Sequence, residues 1–98
     1  MFARVTPFKM KKESRDAMIQ LMHELKSDIM ALPGIQHFIN VIDDEGRGYV
    51  ISMVESREVS DANADKVRAL WAKFADHLES QPLPEGYEVV ADWDKVTA

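Results

Sequence analysis

The chain of 98 residues has no cysteine. That absence excludes disulfides, thiolate catalysis and cysteine-ligated metals, and it fits a reducing cytoplasm. No apolar run approaches the roughly 20 residues that cross a bilayer. Met1-Phe2-Ala3-Arg4 leads directly into strand-like sequence, without a signal-peptide core. Basic residues are in deficit: 12 Lys and Arg against 17 Asp and Glu leave a net charge of −5, the wrong sign for a surface that faces phosphates. The one basic cluster, Lys9-Met10-Lys11-Lys12, reads as a solvated strand end. Walker loops, zinc spacings and Ser-His-Asp arrangements are also missing. Gly46-Arg47-Gly48 lacks the rest of a dinucleotide fingerprint and lies between two strands. Neither nucleic acid, membrane, metal nor cofactor is therefore expected as a partner.

What is present is an ordinary globular composition, 46% hydrophobic and 30% charged, expected to form a single domain over residues 1–98. The stretch Leu32 to Ser56 organises it. Pro33-Gly34 ends a helix, because proline disfavours helical backbone in the residue before it and glycine tolerates a left-handed cap. Ile35–Ile42 and Tyr49–Val54 are rich in β-branched and aromatic residues, with a polar hairpin loop over Asp43–Gly48. Both parities are apolar: Ile35, Ile39 and Val41 oppose Phe38 and Ile42, while Tyr49, Ile51 and Met53 oppose Val50 and Val54. A sheet with one wet face alternates instead, so both faces require cover.

Around this hairpin, Phe2–Met10 reads as a first strand, regular to Thr6 and bent or bulged at Pro7, which lacks a ladder donor. Ser14 is the expected N-cap of a helix reaching about Leu32, with Met18, Leu21, Met22, Leu25, Ile29 and Leu32 on one stripe. Ser60 is the expected cap of a second helix reaching about Leu78, with Asn63, Val67, Leu70, Trp71, Phe74 and Leu78 on one face. A short separate turn near Val59 is the alternative start. Gln81–Gly86 is a breaker-rich loop, and Tyr87–Trp93 a last strand. The order β-α-β-β-α-β predicts an α+β, ferredoxin-like fold with a four-stranded antiparallel sheet and both helices on one face. The other face would then be a large bare apolar patch. A homodimer pairing two sheets across a two-fold axis covers it.

The phrases F-A-R-V-T, P-G-I-Q, Y-V-I-S-M-V-E-S and Y-E-V-V-A-D-W resemble, as a pattern over Phe2 to Trp93, the antibiotic-biosynthesis-monooxygenase-like (ABM) dimeric α/β-barrel family. Members commonly carry Trp at the end of the third strand, where this chain has Val54 before Glu55-Ser56. The resemblance implies a dimeric barrel with a ligand cavity in each subunit between sheet and helices. Some members oxidise polycyclic aromatic or quinol substrates with oxygen and no cofactor, and others cleave haem.

On that expectation the chain is a small-molecule-binding protein for a small hydrophobic or aromatic molecule. Its enzymatic form is a cofactor-independent monooxygenase on an aromatic or quinone-like substrate, and its alternative form a non-catalytic ligand-binding or structural dimer. His77, at the edge of the second helix's apolar face, is the candidate proton acceptor, since imidazole titrates near neutrality; a helix-end histidine offsetting the dipole is the other reading. Asn63 and Thr6 are its candidate helpers, although Asn63 is also explained as a cap. Trp71, Phe38 and Phe74 are candidate cavity walls, Trp71 by stacking on a flat ligand or simply as core. His37 is placed in the cavity lining or the dimer barrel, and His23 in solvent. The haem-cleaving members use a first-strand Asn with a Trp and a His on the second helix. Trp71 and His77 echo that pair, but Val5 and Thr6 stand where the Asn would be.

Overall fold

A computed structural model describes residues 1–95. Four strands, β1 (Phe2–Lys9), β2 (Ile35–Ile42), β3 (Arg47–Val54) and β4 (Glu85–Glu88), form one antiparallel sheet in the order β2-β3-β1-β4. This is the ferredoxin-like arrangement expected. One helical layer covers a single face: α1 (Arg15–Glu24), α2 (Lys26–Met30), α3 (Arg57–Ala62) and α4 (Ala64–Ala72). None of these helices is long and apolar enough to cross a membrane.

The first strand is straight through Pro7, which pairs with Tyr49 without a bulge. The reason lies in the alternation of backbone direction. Met10 N bonds Gly46 O on the β3 side, whereas Glu79 N bonds Lys9 O on the opposite side. Odd residues of β1 therefore turn their backbone groups away from β3, and β4 stops opposite Val5. The N–H that Pro7 lacks would point into a gap in the ladder, where it costs no hydrogen bond.

The irregularity lies instead in β2. Ile35 pairs with Val54 and His37 with Met53, so Gln36 is an extra residue. A bulge reverses side-chain parity across it. Ile35 consequently joins the helix-side core with Phe38 and Ile42, while His37 joins Ile39 and Val41 on the opposite face. The sequence grouping of Ile35 with Ile39 and Val41 is corrected by that one residue.

The first helical stretch bends at Leu25 but remains one rod, because Leu25 N bonds Leu21 O and Ile29 N bonds Leu25 O across the junction. Ser14 precedes it without a side-chain cap bond. The second stretch starts earlier than expected. Ser56 caps α3, its Oγ accepting from Val59 N at 3.2 Å, so Ser60 lies inside the helix. Such a cap contributes about 1 kcal/mol. The rod bends at Asn63 but stays continuous, since Asn63 N bonds Val59 O and Val67 N bonds Asn63 O, and it breaks only after α4, ending in a 3-10 turn over Ala75–His77.

Phe8, Met10, Met18, Leu25, Ile29 and Phe74 form the buried core between sheet and helices. Trp71 bridges its aromatic part, with ring centroids 6.0 Å from those of Phe8 and Phe74. The opposite face is apolar but uncovered over much of its area, with Ile39, Val41, Tyr49 and Tyr87 each about half exposed. The last strand is shorter than expected: β4 ends at Glu88, Val89 N makes one further bond to Met1 O, and Ala91 and Trp93 lie outside the sheet. Asp92 Oδ2 reaches His37 Nε2 on β2 at 3.2 Å. Since β4 and β2 are opposite edges, the segment after β4 crosses the uncovered face. Trp93 and Val90 project from it into solvent. Val96 to Ala98, part of the expected tail, lie outside the described residues.

The β2–β3 hairpin is closed by Asp43, whose Oδ1 accepts from the N–H groups of Glu45 and Arg47. The Arg47 backbone bond leads in holding its carboxyl below the ordinary aspartate range; desolvation opposes it, and the Glu45 backbone bond, the Arg47 charge and the Arg47 side-chain bond add to the lowering. A depressed folded pKa adds stability at pH values above the unfolded value and loses it as pH falls through the folded one. NMR titration of Asp43 is expected to give a midpoint below that of an unstructured Asp. In Asp43→Asn, the acid-side loss of stability should be shallower than in the parent.

Candidate functional site

A cavity of about 640 Å³ opens between α4, the sheet and the loop over residues 80–84. Its size lies in the range of roughly 300–1,000 Å³ typical of small-molecule sites. The sheet supplies Arg4, Ser52 and Val54, the first helical layer ends on it with Leu32, and Ile35 reaches it through the Gln36 bulge. From the other side, α4 contributes Val67, Arg68 and Trp71 at helical spacing. Pro82, Leu83 and Pro84 close the mouth. Beside it lies a second void of about 60 Å³, walled by Phe8, Phe38, Leu70 and Phe74 among others and sharing Leu32, Ser52, Val67 and Trp71 with the first. That volume holds about two waters, so only the larger cavity suits an organic ligand.

The candidate residues distribute unevenly over this geometry. Trp71 borders both voids, as a cavity wall should, while Phe38 and Phe74 border only the smaller one. Asn63 is buried and lines the larger cavity. It is not a side-chain cap, because its Nδ2 donates to Pro33 O at 2.9 Å, tying the α3–α4 junction to the turn before β2. Thr6 is buried on the helix-side face of β1 but lies on neither wall. His77 is half-buried in the 3-10 turn beyond α4, away from both walls, where its carbonyl accepts from Lys11 N. The expected grouping of His77, Asn63 and Thr6 is thus not brought together. His37 lines neither void: it shares the opposite face with Ile39 and Val41, where it meets Asp92.

Sequence reasoning overlooked the groups that give the larger cavity its polarity. Arg4 enters from β1. Its Nε donates to Ser60 Oγ at 2.7 Å and its Nη2 to Asp61 Oδ1 at 2.8 Å. The Phe2 ring lies 5.4 Å from its guanidinium carbon, within cation–π range. Arg68 stands on α4, 3.1 Å from the exposed carboxylate of Asp65. An arginine at the parity of Phe2, Thr6 and Phe8 is itself a sequence cue. In the smaller void, Asn40 is the analogous polar intruder: Nδ2 lies 2.8 Å from Met22 Sδ, and Oδ1 is buried without a hydrogen-bond partner. Among the described residues, no group of three or more His, Cys, Asp or Glu side chains is placed to hold a metal.

No protein-family model and no curated protein matches the chain. Solved structures do. A protein of unknown function from Nitrosomonas europaea superposes with a TM-score of 0.79 at 17% identity, over 98% of this chain and 95% of its own. An antibiotic biosynthesis monooxygenase gives a TM-score of 0.73 at 18% identity, over 93% and 100%. A variant of MhuD with two manganese protoporphyrin IX molecules bound per active site gives 0.73 at 18% identity, over 97% and 100%. The chain has the fold of the antibiotic biosynthesis monooxygenases.

Replacing Asn63 by Ala removes the tie to Pro33 and leaves a partly buried carbonyl unpaired. A loss of about 1–3 kcal/mol is expected, read as a lower urea midpoint at unchanged slope.

Proposed function

We propose that this protein binds a small hydrophobic or aromatic molecule in the cavity between α4 and the sheet, and that it does so as a homodimer. The cavity carries the reading. Its wall is mostly Leu32, Ile35, Val54, Val67, Trp71 and the proline-rich loop, with a few polar groups converging on it, the combination expected of a ligand site rather than a packing fault. The dimer rests on the uncovered face, where Ile39, Val41, Tyr49 and Tyr87 expose apolar surface together with Trp93. A second copy facing the first across a two-fold axis buries all of them at once.

Oxidation of a phenol- or quinol-like ligand by oxygen without a cofactor is the second reading, favoured by the monooxygenase among the fold neighbours. The ligand would supply the electrons and must first lose a proton. The cavity wall contains no His, Asp, Glu or Tyr among the described residues to take it, and His77 lies off that wall. Haem fits less well. Iron in proteins takes His, Cys, Met or Tyr as its axial ligand, and the wall offers Arg, Ser, Asn, Gln and Trp instead.

Light scattering at micromolar concentration is expected to give a dimer mass for the parent and a monomer mass for Val41→Lys, whose charge would lie on the paired faces. A monomeric parent would sink the dimer. Calorimetry with a panel of naphthols and quinols should show saturable binding, accompanied by oxygen uptake if the second reading holds. His77→Ala should stay within about twofold of the parent in affinity, as a substitution away from the wall. Failure of every compound to bind removes the ligand reading, and a collapse of oxygen uptake in His77→Ala would restore that histidine to catalysis.

A further inference from the structure

The chain is acidic, with 17 carboxylate side chains against 12 Lys and Arg. The charges on its cavity wall are of the opposite sign, each paired with a carboxylate that lies off the wall. Both charged residues on the wall, Arg4 and Arg68, are cationic, and no Asp or Glu joins them among the described residues. From this we infer that the ligand is an anion with an apolar body, an aromatic or alicyclic carboxylate in chemical class. The inference rests on the cavity being a ligand site, as proposed above.

Arg4 is the principal anchor because its position is fixed before a ligand arrives. The guanidinium is held by buried Ser60 at 2.7 Å, by Asp61 at 2.8 Å and against the ring of Phe2. Its side chain is only 29% exposed, whereas Asp61 is 62% exposed. Water therefore screens the acid more than the base, so the ion pair offsets part of the Arg4 charge and leaves the remainder on the cavity side. A guanidinium has five N–H donors, and the bonds to Ser60 and Asp61 occupy two of them. The planar fork suits a carboxylate. Arg68 is the outer cation, 67% exposed and paired with a carboxylate that is 94% exposed. The rest of the wall matches the ligand's apolar part, with Trp71, Val67, Leu32 and Ile35 offering flat and branched surfaces. A neutral arene would fill the same space but leave Arg4 facing apolar surface, giving up a charge-assisted bond.

Isothermal titration with 2-naphthoate and with 2-naphthamide, which have the same shape and differ in charge, tests this. The carboxylate is expected to bind about tenfold more tightly, in line with a hydrogen bond to a charged group. That advantage should shrink as salt rises from about 20 to 300 mM. In Arg4→Gln the two affinities should converge, and in Arg68→Gln the gap should narrow less. If Arg4→Gln folds poorly, the salt series on the parent protein still separates a charge-driven preference from one of shape. Equal binding of amide and carboxylate by the parent would overturn the charge assignment while leaving the ligand cavity intact. An advantage that survives both substitutions would overturn it too. Binding of neither compound would overturn it together with the reading on which it rests.

Discussion

The bond from Asn63 Nδ2 to Pro33 O joins the two halves of the helical layer, and the shape of the cavity depends on it. It connects the α3–α4 junction to the turn that launches β2. The same turn is pinned from a second direction. Gly34 adopts φ +72°, and a Cβ there would lie 2.7 Å from Val59 Cγ1 on α3. Only glycine combines that backbone conformation with that closeness. With the turn locked, Leu32 and Ile35 face Asn63, Ala64 and Val67 across one end of the cavity. A longer connection or a larger residue at 34 would move the wall, so a local steric condition becomes a condition on cavity volume.

The bulge at Gln36 follows immediately and sorts the chain's surfaces. It sends Ile35 inward to the cavity layer, while His37 stays outward with Ile39 and Val41, beside Asp92. It thereby separates the chemistry of the two faces: Arg4, Ser52 and Trp71 inside, and a predominantly apolar sheet with a histidine–carboxylate contact outside. A sheet wetted on one side and hollow on the other would be weakly supported, and the core around Phe8, Met10 and Phe74 occupies only one end of the inner layer. The remainder of that layer is the cavity.

Much of this is legible in the sequence. The strands at Ile35–Ile42 and Tyr49–Val54 stand out by β-branched content, the hairpin by its Asp and Gly residues, and the sheet by the order β-α-β-β-α-β. Trp71 sits on the apolar face of its helix, and in three dimensions that face borders the cavity. The departures share one cause. A pattern extrapolated at constant period carries no account of breaks: Gln36 inserts one residue, the helix that periodicity continues to Leu78 ends at Ala72, and His77 lies in a 3-10 turn, where helical spacing no longer gives its direction. Pro7 departs the other way, because the gap in the ladder that accommodates it is made by β4 ending opposite Val5.

The sequence by itself determined the main elements, their order, the absence of cysteine and the presence of apolar residues on both faces of the sheet. These are local or compositional properties, set by side-chain shape, turn chemistry and the count of apolar positions. Tertiary structure alone decided which groups meet. Arg4 and Ser60 are 56 positions apart, and neither looks functional in isolation: one is a charge in a strand, the other a residue that reads as a helix cap. Their contact depends on strand register, on where α3 starts and on the placement of Ser56 as its cap. Each of these is fixed by packing across the whole fold, so two arginines on the wall of one cavity become visible only in three dimensions.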